Sequence, residues 1–205
     1  MRRRATRRAL ALMALALVPV LSAFARPDTV RPRAAGAQPD ADWVEATLAS
    51  LDQRQRVAQM VVAWIDGGQP AAGSAEHERG LTLVRDRQVG GLIVGKGDAR
   101  ATAAWLNQLQ ALSAVPLLVT ADLEWGPGTR LLGATTIPVN MALAATGDLR
   151  YVYEAGRITA LEARAAGIHM AFAPVADVNV NPRNPVINTR SYGADPSIVA
   201  AHVSP

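Results

Sequence analysis

Two short stretches of this chain gather most of the side chains that could do chemistry. The first is Thr120-Ala-Asp122-Leu-Glu124-Trp-Gly-Pro-Gly-Thr-Arg130, with two carboxylates two residues apart and an arginine eight positions after Asp122. The second is Ala173-Pro-Val-Ala-Asp177-Val-Asn179-Val-Asn181-Pro-Arg183-Asn184-Pro-Val-Ile-Asn188-Thr-Arg190, a polar segment stiffened by Pro174, Pro182 and Pro185. Carboxylates accept, guanidinium groups donate in a fixed fork and carboxamides do both, so together they suit the vicinal hydroxyls of a sugar. Structural roles stand beside that reading. Asp122 could cap its loop and Glu124 could pair with Arg130; Asp177, Asn181 and Asn184 could close Asx turns; Arg183 could be a solvated surface group. Arg190 precedes Ser191-Tyr-Gly, and a loop of that length needs either a buried anchor or a ligand to hold it in order.

Other chemistries are excluded or weak. The chain has no cysteine, which rules out disulfides, iron–sulfur clusters and thiolate zinc sites. His77, His169 and His202 lack metal-ligand spacing, and His169, inside an apolar run, reads as a packed core residue. Gly90-Gly-Leu-Ile-Val-Gly-Lys96 fits the start of a phosphate-binding loop, but Gly97 stands where a hydroxyl must reach magnesium and the apolar run lies inside the loop. Lys96, the only lysine, reads as a surface residue at a strand end.

The elements that must position these groups follow from periodicity. Four apolar runs, at 60–65, 91–94, 117–120 and 168–173, alternate with helical patterns at 43–58, 76–88, 98–113 and 149–166. Asp42 is placed to cap the first helix. Continuous apolar strands between helices predict an α/β fold with a parallel sheet covered on its faces. Periodicity alone does not separate a barrel from a doubly wound sheet, but both gather a site at the C-terminal ends of the strands, where 120–130 and 173–190 begin. Trp43, Trp64 and Trp105 are read as core and covering residues.

The chain has 205 residues, is 50% hydrophobic and 19% charged, and carries a formal charge of +4. That charge is local. Arg2, Arg3, Arg4, Arg7 and Arg8 open the chain, and without residues 1–25 the balance is 16 basic against 17 acidic groups, which leaves no footprint for nucleic acid. The cationic start, the apolar stretch 9–21 and Ala23-Phe-Ala25 have the three parts of a secretory signal, so residues 1–25 are expected to direct export and no other membrane segment is expected. Retention as an uncleaved anchor is the alternative; Pro19 and the small residues beside it suit cleavage better. Residues 26–41 read as a Pro/Ala-rich linker and 42–205 as the folded part.

A more specific signal lies in the order of several motifs. Pro116-Leu-Leu-Val-Thr-Ala-Asp122-Leu-Glu124-Trp-Gly126 with Arg130, then Thr136-Ile-Pro138, Glu154-Ala-Gly-Arg157, Glu162-Ala-Arg-Ala-Ala-Gly167, Ala173-Pro-Val-Ala-Asp177 and Asn184-Pro-Val-Ile-Asn-Thr-Arg190-Ser-Tyr-Gly193 resemble the N-terminal domain of glycoside hydrolase family 3. The resemblance covers about residues 43–203 and is strongest to bacterial β-N-acetylhexosaminidases, with β-glucosidases next.

That resemblance implies the N-terminal part of a TIM-type (β/α)8 barrel, a retaining glycosidase releasing terminal β-linked N-acetylhexosamine, and no metal or organic cofactor. It makes Asp122, Arg130 and Arg190 sugar-binding residues and Asp177 a carboxylate of the pocket floor. Trp125 stands where the family's Asp-x-Glu-Gly-Gly signature has its first glycine, which leaves open both the local backbone and the use of the ring as a stacking platform. The family's Lys-His motif, its His–Asp proton-transfer pair and its nucleophilic aspartate would fall beyond Pro205. The expectation is therefore a truncated barrel, inactive or only sugar-binding by itself, that needs further C-terminal polypeptide for completion.

Overall fold

The computed structural model describes residues 39–204, and the expected leader with most of the linker lies outside them. In chain order the elements are α1 (Pro39–Ser50), α2 (Gln53–Ala58), β1 (Val62–Ile65), α3 (Ala75–Leu81, prolonged by a π-helical turn at Thr82–Asp86), β2 (Gly91–Val94), β3 (Gly97–Asp98) and α4 (Ala99–Leu112). There follow β4 (Leu118–Ala121), β5 (Leu131–Leu132), α5 (Asn140–Ala145), α6 (Leu149–Ala165), β6 (Met170–Ala171) and α7 (Pro196–Val203). No described helix is long and apolar enough to cross a membrane.

β1, β2, β4 and β6 form one parallel sheet in that order, each new strand added on the same side of the last. A doubly wound sheet reverses direction at a switch point, whereas a (β/α) barrel never does, so the observed order is that of successive barrel strands. All four strands lie within or beside their apolar runs, and 91–94 coincides with β2. The apolar stretch of the phosphate-loop look-alike is therefore a strand.

Strand alternation sends Leu92, Val94, Val119 and Ala121 to the helix-covered face, where each is fully buried against α4 residues such as Trp105, Leu106 and Leu109. On the other face the register brings Trp64, Ile93, Thr120 and Met170 into one row. Trp64 and Met170 each stay 42% exposed there. Trp105 is 2% exposed; it stacks on His77 with ring centroids 5.2 Å apart and fills the space above Gly80, where a Cβ would lie 2.5 Å from its Cζ2.

Three expectations need correction. Asp42 does not cap a helix: α1 starts at Pro39, since proline lacks only an N–H that the first turn leaves unbonded. The helical stretch then breaks, and Asp52 restarts it through a capping box in which its carboxylate accepts from Gln55 N–H at 2.8 Å while Gln55 Oε1 accepts from Asp52 N–H at 2.9 Å. Trp43 and Trp64 are exposed, leaving Trp105 as the core tryptophan of the three. His169 is an exposed residue at the start of β6, where its Nδ1 accepts the Val119 N–H at 3.0 Å.

Two outcomes follow for stability. Trp105→Ala should lower the unfolding free energy by about 3–5 kcal/mol, and Trp43→Ala by no more than about 0.5 kcal/mol, both measured by urea denaturation. Partial desolvation of the ring where it packs on β4 and, second, the charge of Arg164 push His169 below its ordinary value of 6.5. The unfolded chain then takes up the proton first as pH falls, so the stability from this group is complete above that ordinary value and is lost as pH drops through the lower folded one. His169→Gln should reduce the fall in Tm between about pH 7.5 and pH 5.5.

Candidate functional site

The C-terminal ends of β1, β2, β4 and β6 carry loops that are locked together by backbone contacts. β3 and β5 pair Gly97 with Leu131, and the Gly97 N–H donates to the Arg130 carbonyl at 2.9 Å. A Cβ at Gly97 would come within 2.0 Å of Gly68 N, so the loops after β1 and β2 approach more closely than any side chain permits. Arg130 therefore leaves a backbone pinned to the strand ends.

The arginine turns back onto its own loop. Its Nη2 donates to Asp122 Oδ2 at 2.6 Å, and its Cζ lies 5.7 Å from the centroid of the Trp64 ring. The side chain of Asp122 keeps 37% of its surface exposed, against 22% for Arg130. Glu124 does not pair with Arg130, the structural partner considered for it. It accepts two bonds from Arg190, from Nε at 2.8 Å and from Nη2 at 2.7 Å, across 66 positions of sequence. This fork-to-fork bond and the charge of Glu124, with smaller contributions from Asp177 and Asp122, hold the Arg190 guanidinium above its ordinary value. Asp177 is exposed and contributes charge near Arg190; no hydrogen bond of its carboxylate is seen among the described residues.

The structure thus brings Asp122, Arg130 and Arg190 to one rim, with Asp177 beside them and Glu124 as the bridge between the two loops. Two members of this rim go beyond the sequence expectations: Glu124 as a bridge and Trp64 as a wall. The pairing of Glu124 has no local signal, and an apolar strand residue carries no mark of which sheet face it will take.

The long loop after β6 has a buried anchor. Ser191 is fully buried, donating to the Asp177 carbonyl at 2.5 Å and accepting from Gly193 N–H, and Tyr192 packs with Leu143, Val152 and Val199. The buried Asn140 of α5 donates to the Arg190 carbonyl at 2.8 Å. Asn181 and Asn184 close turns by accepting from Arg183 N–H and from Val186 and Ile187 N–H, so their structural reading holds. Arg183 is exposed.

At position 125 the backbone φ is outside the left-handed region, so tryptophan in place of the family's first glycine is not strained. Gly126, in contrast, has φ +77° and a Cβ there would strike Thr135 O at 2.8 Å. The Trp125 indole N–H is buried without a partner among the described residues.

A groove of about 680 Å³ runs beside β6 and α6. It is lined by apolar residues such as Ile137, Leu143 and Val152, and of the charged rim residues only Glu124 reaches it. Among the described residues no three His, Asp or Glu side chains come together as metal ligands.

Comparisons with known proteins give the family and the fold. Residues 52–204 match the glycosyl hydrolase family 3 N-terminal domain, and the chain belongs to that family, whose N-terminal domain is a (β/α)8 barrel-type fold. It is 40% identical over 159 residues to a β-N-acetylglucosaminidase/β-glucosidase of Cellulomonas fimi, an alignment covering 78% of this chain and 27% of that protein. Among solved structures it superposes on a family 3 β-N-acetylglucosaminidase from Paenibacillus sp. str. FPU-7 with TM-score 0.67 and 39% identity, covering 75% of this chain and 30% of that one. On the β-glucoside phosphorylase BglX the TM-score is 0.73 at 26% identity, covering 82% and 29%. The chain thus spans less than a third of the length of these three.

Glu124→Gln keeps the shape but removes the charge from the Arg190 fork. The expected loss is about 1–2 kcal/mol, below the full value of a buried pair because Arg190 keeps a third of its side chain in water. Amide hydrogen exchange at Arg190–Gly193 should accelerate by about tenfold while that of β2 stays unchanged.

Proposed function

We propose that this chain builds the sugar-holding rim of a retaining β-N-acetylhexosaminidase. The observation that carries the reading is the Asp122–Arg130 pair at the strand ends, presenting an open carboxylate acceptor beside guanidinium donors. One oxygen of Asp122 is held by Arg130, and Oδ1 makes no bond among the described residues, so it can accept from a ring hydroxyl while the arginine donates to its neighbour. Arg190, fixed by Glu124, supplies a second donor group, and Asp177 adds negative charge at the floor. Donors and acceptors preset at fixed distances bind a polyol without a reorganisation cost, and bonds that tighten as the ring flattens toward the oxocarbenium ion lower the barrier.

Retaining hydrolysis also needs a carboxylate nucleophile and a proton donor on opposite faces of the glycosidic bond, about 5–5.5 Å apart. Asp122 and Glu124 are both engaged by arginines; Asp122 is assigned to binding and Glu124 to holding Arg190. The nucleophile and the proton-transfer pair are assigned to polypeptide beyond residue 205, which also completes the barrel. The leader at 1–25 supports export, to the periplasm or outside the cell. Preference for N-acetylglucosaminides rests on the activities named for the Cellulomonas and Paenibacillus relatives. The first of those names also includes β-glucosidase, which keeps β-glucosides as the second reading.

Full-length protein should hydrolyse nitrophenyl N-acetyl-β-glucosaminide faster than the β-glucoside, and equal rates would remove the preference. Asp122→Ala should lower kcat/KM by at least about tenfold through lost transition-state contacts. Unchanged kinetics would show that the rim does not hold the sugar.

A further inference from the structure

The row of side chains facing away from the helices ends, at the C-terminal side of β1, in an aromatic ring that the sugar-binding reading does not use. Trp64 is aligned with Ile93 across the β1–β2 ladder, and its ring leans toward the end of β2. The space it occupies exists because position 95 is glycine: a Cβ there would meet Trp64 Cζ2 at 3.0 Å. The Arg130 guanidinium lies 5.7 Å from the ring centroid, inside the range of a cation–π contact.

Arg130 needs such a support. Only Nη2 has a carboxylate, and Nε is buried with no acceptor among the described residues. A buried guanidinium N–H without an acceptor is costly, and the negative face of the Trp64 indole supplies electron density beside the group. The backbone of Arg130 is already fixed by Gly97, so the ring and Asp122 between them define where the side chain points.

We propose that Trp64 is a positioning residue: its ring forms a shelf that holds Arg130 against Asp122 in the donor–acceptor arrangement a sugar would meet, and Gly95 makes room for the shelf. The proposal rests on the rim reading for its consequence in binding, but not for the geometry itself.

The test uses the full chain and reads the two levels separately. In ¹⁵N–¹H spectra of the arginine side chains, the Arg130 Nε–H signal, identified by its loss in Arg130→Lys, should be ring-shifted and slow to exchange with solvent. Trp64→Leu keeps apolar bulk without a π face, and should move that signal to the position of exposed arginines. Trp64→Phe should retain the shift in part and most of the protection. Gly95→Ala, whose Cβ would press the ring at 3.0 Å and the Ile65 carbonyl oxygen at 3.2 Å, should reproduce the Leu result in a chain that still contains Trp64, and circular dichroism confirms that each variant is folded. At the second level, the dissociation constant for N-acetylglucosamine should rise by about fivefold in Trp64→Leu and Gly95→Ala and by less than about twofold in Trp64→Phe. An Arg130 signal unmoved by both Trp64→Leu and Gly95→Ala overturns the shelf. Absence of sugar binding by the unaltered chain, with the Arg130 signal behaving as stated, overturns the rim reading and leaves the shelf standing.

Discussion

Two carboxylates two residues apart at the end of one strand must each find a counter-charge, and the rim of this molecule is organised around how they do so. Asp122 takes Arg130 from its own loop, and Glu124 takes Arg190 from the loop of the neighbouring barrel strand. The first pair folds the β4 loop onto itself. The second ties β4 to β6 at the mouth, where only two residues of backbone ladder join the strands. The bidentate, charge-assisted contact adds to that short ladder a link between the two loops.

Neither pair would form if the loops were free to drift, and small residues with one polar anchor prevent that. The loops after β1 and β2 touch backbone to backbone through Gly68 and Gly97, and the Gly97 N–H in turn donates to the Arg130 carbonyl. The β6 loop is long and polar, yet it is held by a buried serine that satisfies three backbone groups of its own loop and by a tyrosine in a small separate core. Order in the rim is therefore supplied by backbone satisfaction, and the charged side chains ride on it. This division fits a binding surface that has to be in place before its ligand arrives.

Much of this architecture is legible in the order of the residues. Strand runs such as Gly91–Val94 show as uninterrupted apolar residues because both of their faces are covered or stacked. Tertiary pairing is what such runs and spacings do not encode. Glu124 and Arg190 are 66 positions apart, and nothing in either neighbourhood selects the other. Trp64 belongs to an apolar run whatever it faces, so only the register shows that it leaves the core. The cap at Asp52 is hidden because the apolar spacing runs through the break at Leu51, and a cap is a local backbone event that periodicity averages away. The turns at Asn181 and Asn184 are visible in sequence because an Asx turn beside proline is decided by its immediate neighbours.

The two pairs also differ in a way that separates their work. Glu124 has 19% of its side chain exposed and both oxygens bonded to one guanidinium; it has little left to offer a ligand. Asp122 is about twice as exposed, uses one oxygen, and lies beside an arginine whose remaining donors are not all matched. A carboxylate saturated by its partner is a strut, whereas one half-saturated and open to the mouth is an acceptor in waiting. The same contrast holds for the arginines: Arg190 also donates to the Val186 carbonyl and so secures its own loop, while among the described residues Arg130 reaches only Asp122 and a ring. Specificity for a polyol is then concentrated in the less satisfied pair, because unmatched polar groups are where a hydroxyl in the right place gains most and a missing one loses most.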